Sequence, residues 1–332
     1  TKFWDMHSQP YVVCNNVRNC DGDVVVHWRM LARRVIGRKG VFLLRNVVSS
    51  LAFHCKLIPQ ADTVGREDGI SALTCTYNEE DWVEVSLMSI KDLVDEILVL
   101  DSSTDRTPEI VESLRENRGL PVKLHRMPFG DMVYTRNLGL SMARYRWILI
   151  WDADFVLKDE APAILKKLLG GLDERRYYLI YWPQICLDGD LMHQDPRNAL
   201  HVEHWLFTWS PKLRYRKVGL SDSLIAPLTY YGAVYIKKPL SFHLRTVRSP
   251  RRLLYRHYRW LMRREGLEGK ISLDGYVKER IQKDFETKDI DQAAKLYFQK
   301  YILNLAQYQK NVYGDYPHVL KEYAKRKYGI DL

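Results

Sequence analysis

Two aspartates one residue apart, Asp152 and Asp154, interrupt the apolar stretch "ILIWDADFV". Carboxylates at that spacing, at the mouth of a buried strand, can reach one hard cation directly or through water, and Mg²⁺ and Mn²⁺ are ions that prefer such oxygen ligands. Two further polar clusters close apolar runs upstream: "TYNEE" (Thr76, Tyr77, Asn78, Glu79, Glu80) follows "ISALTC", and "DSSTD" begins at Asp101 after "EILVL". One polar loop at a strand end is ordinary, because loops face water. Three in succession gather acidic and hydroxyl groups at one rim. In open α/β sheets ligands bind outside the carboxyl ends of the strands.

The elements that must hold these loops follow from periodicity. "ISALTC", "EILVLD", "PVKLHR" and "RWILIWD" read as short buried strands, and the stretches between them carry apolar residues at helical spacing. "TPEIVESLREN" predicts a helix with Thr107 as N-cap and Pro108 in the first turn. Strand and helix alternating at this spacing predict an α/β fold: a mixed, mainly parallel sheet with helices on both faces. Residues 1–68 show no clear period and carry a basic cluster, Arg33, Arg34, Arg38 and Lys39. "ADTVGREDG" (Ala61–Gly69) reads as a polar linker. The expected organisation is an N-terminal extension over 1–68, a main domain over 69–244 with halves at 70–156 and 157–244, and a basic helical region over 245–332.

Lys+Arg number 51 and Asp+Glu 41, a net charge of +10, which favours phosphate-bearing partners. The five cysteines, Cys14, Cys20, Cys55, Cys75 and Cys186, are scattered and form no CxxC pair. A disulfide framework is therefore not expected, and a reducing, cytoplasmic setting is. No run approaches the roughly 20 apolar residues of a membrane span. P-loop and dinucleotide fingerprints are absent.

Four motifs in order, "TYNEE", "DSSTDRT", "RNLG" (Arg136–Gly139) and "DAD", over about 85 residues, resemble the nucleotide-sugar half of the family 2 glycosyltransferases, which have the Rossmann-like GT-A fold. The resemblance implies inverting transfer of a sugar from a nucleoside-diphosphate sugar, of UDP or GDP type, to the hydroxyl of a saccharide or lipid-linked acceptor. It implies donor contacts from Thr76, Tyr77, Asn78, Glu79, Asp101, Arg136 and Asp152. Asp101 to Asp105 spans five residues where the family's motif often spans six. The chemistry is consistent with the residues: a diphosphate leaves with extra negative charge, and Mn²⁺ or Mg²⁺ held by Asp152 and Asp154 would stabilise it.

Inversion requires a carboxylate to take the acceptor proton. In the segment Leu206–Ile225, which resembles a branch of the family where a His-Glu pair ends a basic strand, Ser221-Asp222 stands at that place. Asp222 is the first candidate base and Glu203, in "HVEHW", the second; Asp190 and Asp195 are outsiders. His243, after "PLSF", matches a position where the same branch places a histidine near the metal. His193, His201, Glu203 and His204 lack a recognised zinc spacing.

In "RTVRSPRRLLYRHYRWLMRR", Arg252, Arg256, Arg259 and Arg263 share one helical face, with Leu253, His257, Trp260 and Leu261 on the next. Such a stripe suits peripheral contact with an anionic membrane, and equally a solvated face. Two rival functions weigh less. A nucleotidyltransferase would want a basic, Gly-rich loop where "TYNEE" is acidic. A nucleic-acid binder would leave the aspartate rim unexplained, so no nucleic-acid partner is expected.

Overall fold

A computed structural model of the chain describes residues 23–218 and 221–332; Cys14 and Cys20 lie outside the described residues, as does the rest of the extension before residue 23. Along the chain, α1 (Asp23–His54) precedes β1 (Glu67–Thr76), α2 (Val83–Ser89), β2 (Glu96–Asp101), α3 (Thr107–Arg118), β3 (Val122–Arg126), α4 (Met132–Met142) and β4 (Tyr145–Ile150). There follow β5 (Phe155–Leu157), α5 (Ala161–Gly170), β6 (Tyr177–Cys186), β7 (His193–Gln194), β8 (Leu200–Thr208), β9 (Arg214–Val218), β10 (Ser221–Ile225), β11 (Tyr231–Tyr235) and β12 (Ser241–His243). The C-terminal part holds α6 (Pro250–Arg264), α7 (Leu273–Phe285), α8 (Ile290–Ile302), β13 (Ala306–Gln307), α9 (Lys310–Tyr313) and α10 (His318–Tyr328). The fold is α/β, as the alternation predicts.

The chain forms two compact units. The first comprises residues up to 153, 157–183 and 202–240; the second comprises 154–156, 184–201 and 241–332. In the first, β3, β2, β1 and β4 lie side by side in parallel, and β8 joins β4 antiparallel. Every residue of β2 is buried, so it reads as a continuous apolar run, as expected for a parallel strand covered on both faces. A core cluster runs through Leu73, Leu98, Ile148, Leu179, Phe207, Tyr215 and Tyr231.

The region before β1 holds more structure than its sequence period suggests. α1 is broken at Gly37, whose φ of 66° no helix residue adopts. Its second half lies on β11, where Asn46 both donates to the Ala233 carbonyl (3.0 Å) and accepts from the Ala233 amide (2.6 Å). The expected linker is a short 3₁₀ turn (Ala61–Val64) leading into β1, which starts at Glu67.

In the second unit β12 pairs in parallel with the end of β6, setting Ser241 opposite Gln184 and His243 opposite Cys186. α6, α7 and α8 share a core of Leu254, Tyr258, Met262, Tyr276, Val277, Ile281, Ala293 and Ala294. Here the sequence reading of α6 needs correction: its buried face is Leu253, Leu254, Tyr258 and Met262, and Trp260 remains 38% exposed. No helix among the described residues is long and apolar enough to cross a membrane.

Candidate functional site

The first rim loops are tied to one another. The β1–β2 register sets Thr76 opposite Asp101. Asp101 is fully buried, and its Oδ1 accepts from the Thr76 hydroxyl (2.6 Å) and the Ser103 amide (3.2 Å), while Oδ2 pairs with Arg126. Both oxygens of this expected donor contact thus have protein partners. Asn78, at a left-handed φ of 57°, accepts through Oδ1 from the Thr104 and Asp105 amides, and its own amide donates to Ser103 Oγ. The Glu79 amide donates to Thr107 Oγ1 (2.8 Å). Thr107 is therefore not the N-cap: it lies within α3, and Asp105 Oδ1 accepts from both its amide (3.0 Å) and its hydroxyl. Tyr77, beside these bonds, is 37% exposed, with its ring centroid 4.4 Å from that of Phe129.

A second cluster in the same unit centres on Arg136. Gly139, one turn later on α4, lets the helix lie close to the sheet: a Cβ there would stand 2.8 Å from Leu100 Cδ1. That approach holds Arg136 where its guanidinium reaches Asp152 Oδ1 at 3.4 Å and lies 5.2 Å from the centre of the Tyr215 ring. Asn137 grips the backbone of Tyr215 on β9, accepting from its amide (2.7 Å) and donating to its carbonyl (3.0 Å). Burial opposes the charge on Arg136, but Asp152 and Tyr215 hold its pKa above the ordinary value. Burial pushes the Cys75 thiol up to about 12, with Arg136 opposing and with Asp152 and Asp222 adding to the rise. The loop of Asp152 is fixed from α2: Ser86 Oγ donates to the Asp152 carbonyl (3.2 Å), and the buried Trp151 indole donates to the Ser86 carbonyl (3.3 Å).

Asp154 belongs to the second unit and has its own cationic surroundings. Its Oδ2 accepts from Arg248 (3.0 Å) and stands 3.5 Å from His243 Nε2. Burial would raise the Asp154 pKa, yet His243, Arg248 and Arg256 hold it well below the usual carboxylate range. Burial opposes the imidazolium too, but Asp154 lifts the His243 pKa to about 9. The segment bearing His243 is anchored by the fully buried Asp188, which accepts from Arg245 through both oxygens (3.0 and 2.8 Å) and from Thr246 (2.8 Å).

The remaining sequence candidates are distributed otherwise. Glu203 on β8 pairs with its neighbour His204. Asp190 holds His193 at 2.8 Å, and the buried Asp195 accepts from Arg197 and Asn198. Among the described residues no three His, Cys, Asp or Glu side chains are grouped to hold a metal. On α6, Arg256 donates to the Arg245 carbonyl (2.8 Å), and Arg259 and Arg263 pair with Glu268 at 3.8 and 2.9 Å.

A family model described as Glycosyl transferase family 2 matches residues 71–242, slightly more than half of the chain. The chain belongs to glycosyl transferase family 2. It is 32% identical over 105 residues to the poly-β-1,6-N-acetyl-D-glucosamine synthase of Staphylococcus epidermidis, covering 29% of this chain and 24% of the synthase. It is also 32% identical over 109 residues to an uncharacterized glycosyltransferase of Rickettsia bellii, covering 32% of this chain and 35% of the relative. The chain thus spans a quarter to a third of the lengths of these relatives. Similar solved structures include the mannosyltransferase PcManGT from Pyrobaculum calidifontis in complex with GDP-Man and Mn²⁺ (TM-score 0.40, 15% identity, 77% of this chain and 85% of that one). Another is TarS 1-349 of S. aureus in complex with UDP-GlcNAc (TM-score 0.36, 19% identity, 65% and 72%).

In this family 2 glycosyltransferase three residues of the clusters described above are absent from the candidates read from the sequence: Phe129, Tyr215 and Arg248. In the sequence Arg248 is one arginine of the basic run "RTVRSPRR", five residues after His243. Its partner Asp154 is 94 residues earlier in the chain, and no local pattern reports such a pairing.

Proposed function

We propose that the chain moves a sugar from a UDP- or GDP-type sugar to an acceptor hydroxyl of a saccharide or lipid-linked acceptor, with inversion and with a divalent cation on the diphosphate. The observation that carries this reading is the Arg136–Asp152 pair set against the Tyr215 ring, in a chain whose family model spans that segment. A guanidinium held by a carboxylate and an aromatic ring is pre-oriented for a phosphate or base edge.

The residues around Asp154 fit a cation. Asp154 and His243 offer a carboxylate oxygen and an imidazole nitrogen 3.5 Å apart. One or two protein ligands suffice where substrate phosphates complete the coordination, and imidazole favours Mn²⁺ over Mg²⁺. His243 must give up its proton to ligate. The cation would supply charge stabilisation for the departing diphosphate. Arg248 would add a second positive group on the same carboxylate.

For the base we favour Asp222 over Glu203. Asp222 adds, with Asp152, to the rise of the Cys75 thiol, whereas Glu203 is paired with His204. A thermal-shift screen of UDP, GDP and dTDP sugars with Mn²⁺ tests the reading. One nucleotide class should raise the melting temperature, and no response to any of them would contradict it.

A further inference from the structure

We propose that the second half of α1 is an interfacial helix that seats this protein on an anionic lipid surface. One face of this half is committed to the first unit. Arg45, 8% exposed, donates to the carbonyls of Ala226 and Tyr231; Asn46 clamps Ala233; the Phe42 ring lies 4.7 Å from that of Tyr181; Ser49 and Ala52 are buried. Among the described residues the other face carries exposed apolar side chains. Leu43 is 67% exposed, Leu44 42%, Val47 47% and Leu51 60%, and Leu57 just beyond the helix is 75% exposed. Leu43, Val47 and Leu51 recur every fourth residue, so they form one line along the helix. A contiguous exposed apolar stripe of this kind marks an interaction surface.

The charge of the segment selects the occupant. Residues 24–61 contain seven Lys or Arg and no Asp or Glu. Lys39 and Lys56, at the two ends of the stripe, are both exposed. An apolar line flanked by cations, with no acidic residue, is the composition of a helix lying in a headgroup boundary. A second copy of the chain would bring a basic segment against itself, which like-charge repulsion opposes. Residues 1–22 carry two Lys or Arg and two Asp or Glu, so they offer the stripe no net negative match. The lipid contact therefore falls on α1 rather than on the α6 stripe, where Arg256, Arg259 and Arg263 have partners within their own unit.

The test is co-sedimentation of the full chain with vesicles of equal parts phosphatidylglycerol and phosphatidylcholine, against pure phosphatidylcholine, with size-exclusion chromatography alongside. The wild type should bind the anionic vesicles, bind neutral ones far more weakly, and leave the anionic ones at high salt. The triple variant Leu43→Ser/Val47→Ser/Leu51→Ser should lose roughly tenfold or more in vesicle affinity, with an unchanged melting temperature because all three side chains are exposed. Lys39→Glu/Lys56→Glu should weaken binding to anionic vesicles only. The proposal is overturned if the wild type ignores both vesicles, if the triple variant binds as the wild type does, or if the stripe instead drives self-association that the serine substitutions abolish. Arg252→Gln/Arg259→Gln/Arg263→Gln should bind as the wild type does; loss of binding there would return the contact to α6.

Discussion

The Arg248 guanidinium donates to Asp154 at 3.0 Å, and both side chains are nearly buried, at 8% and 10% exposure. A buried pair of this kind is costly to break from one side, because the surviving charge is left without its counter-ion. Arg248→Met should therefore destabilise the fold by about 3–5 kcal/mol, read from urea unfolding. Arg248→Lys keeps the charge but loses the planar fork, and should recover part of the stability. If the cluster also serves the diphosphate, both variants should bind UDP or GDP more weakly while binding of the free nucleoside is unchanged.

The base assignment separates by kinetics. Asp222→Asn should lower donor turnover to acceptor by roughly 10²–10⁴-fold while donor affinity, measured by calorimetry, stays at the wild-type value. Glu203→Gln should retain most activity, since its partner is the adjacent His204. The reverse pattern would exchange the two roles.

Asn137 does two jobs on one backbone residue, accepting from and donating to Tyr215. Asn137→Ala should free β9 from α4 and leave the Tyr215 amide and carbonyl without these partners, at a cost of about 1–3 kcal/mol for each group left buried. Tyr215 would then no longer back the Arg136 guanidinium. Donor affinity should fall with Asn137→Ala even though residue 137 is assigned no substrate contact, and equal affinity in the two proteins would detach Tyr215 from the site.

Glu96 sets an acid limb for stability. Its carboxylate accepts from the Ser71 hydroxyl and the Arg144 amide (both 2.6 Å) and from Lys123 (2.9 Å). Burial opposes the charge, but these donors hold its pKa below the ordinary 4.5. A depressed folded-state pKa means the stabilisation is fully present above pH 4.5 and is lost as pH falls through the folded value. Unfolding midpoints should drop across that range. In Glu96→Gln the drop should be smaller and the stability at neutral pH lower by about 1.5–3 kcal/mol, the scale of hydrogen bonds to a charged group.

The legible parts of the fold are those whose residues meet near neighbours in sequence. β1, β2 and β4 declare themselves as apolar runs because their central residues are buried, whereas the edge strand β3 buries only Val122 fully, and α4 turns Thr135, Gly139 and Leu140 inward at helical spacing. α1 is not legible, because Gly37 breaks its period and the residues that tie it to the first unit, Arg45 and Asn46, are polar and bond to backbone groups some 180 positions later. Asp152 and Asp154 stand out in the sequence, yet the cations each one meets, Arg136 and Arg248, are assembled by tertiary packing. Thr107 has the residue type of a cap, but Asp105 two positions earlier reaches its amide first.

Whether Asp152 and Asp154 serve a nucleotide-sugar donor is read from donor cleavage. Release of UDP or GDP from its sugar by the full chain should be followed with Mn²⁺, with Mg²⁺, with EDTA, and in Asp152→Asn and Asp154→Asn. Release should depend on the cation in the wild type and should be mostly lost with EDTA and in Asp154→Asn, with circular dichroism at the assay temperature confirming that the variant, destabilised by loss of the Arg248 counter-ion, is still folded. Asp154→Asn releasing nucleotide at the wild-type rate would contradict that role.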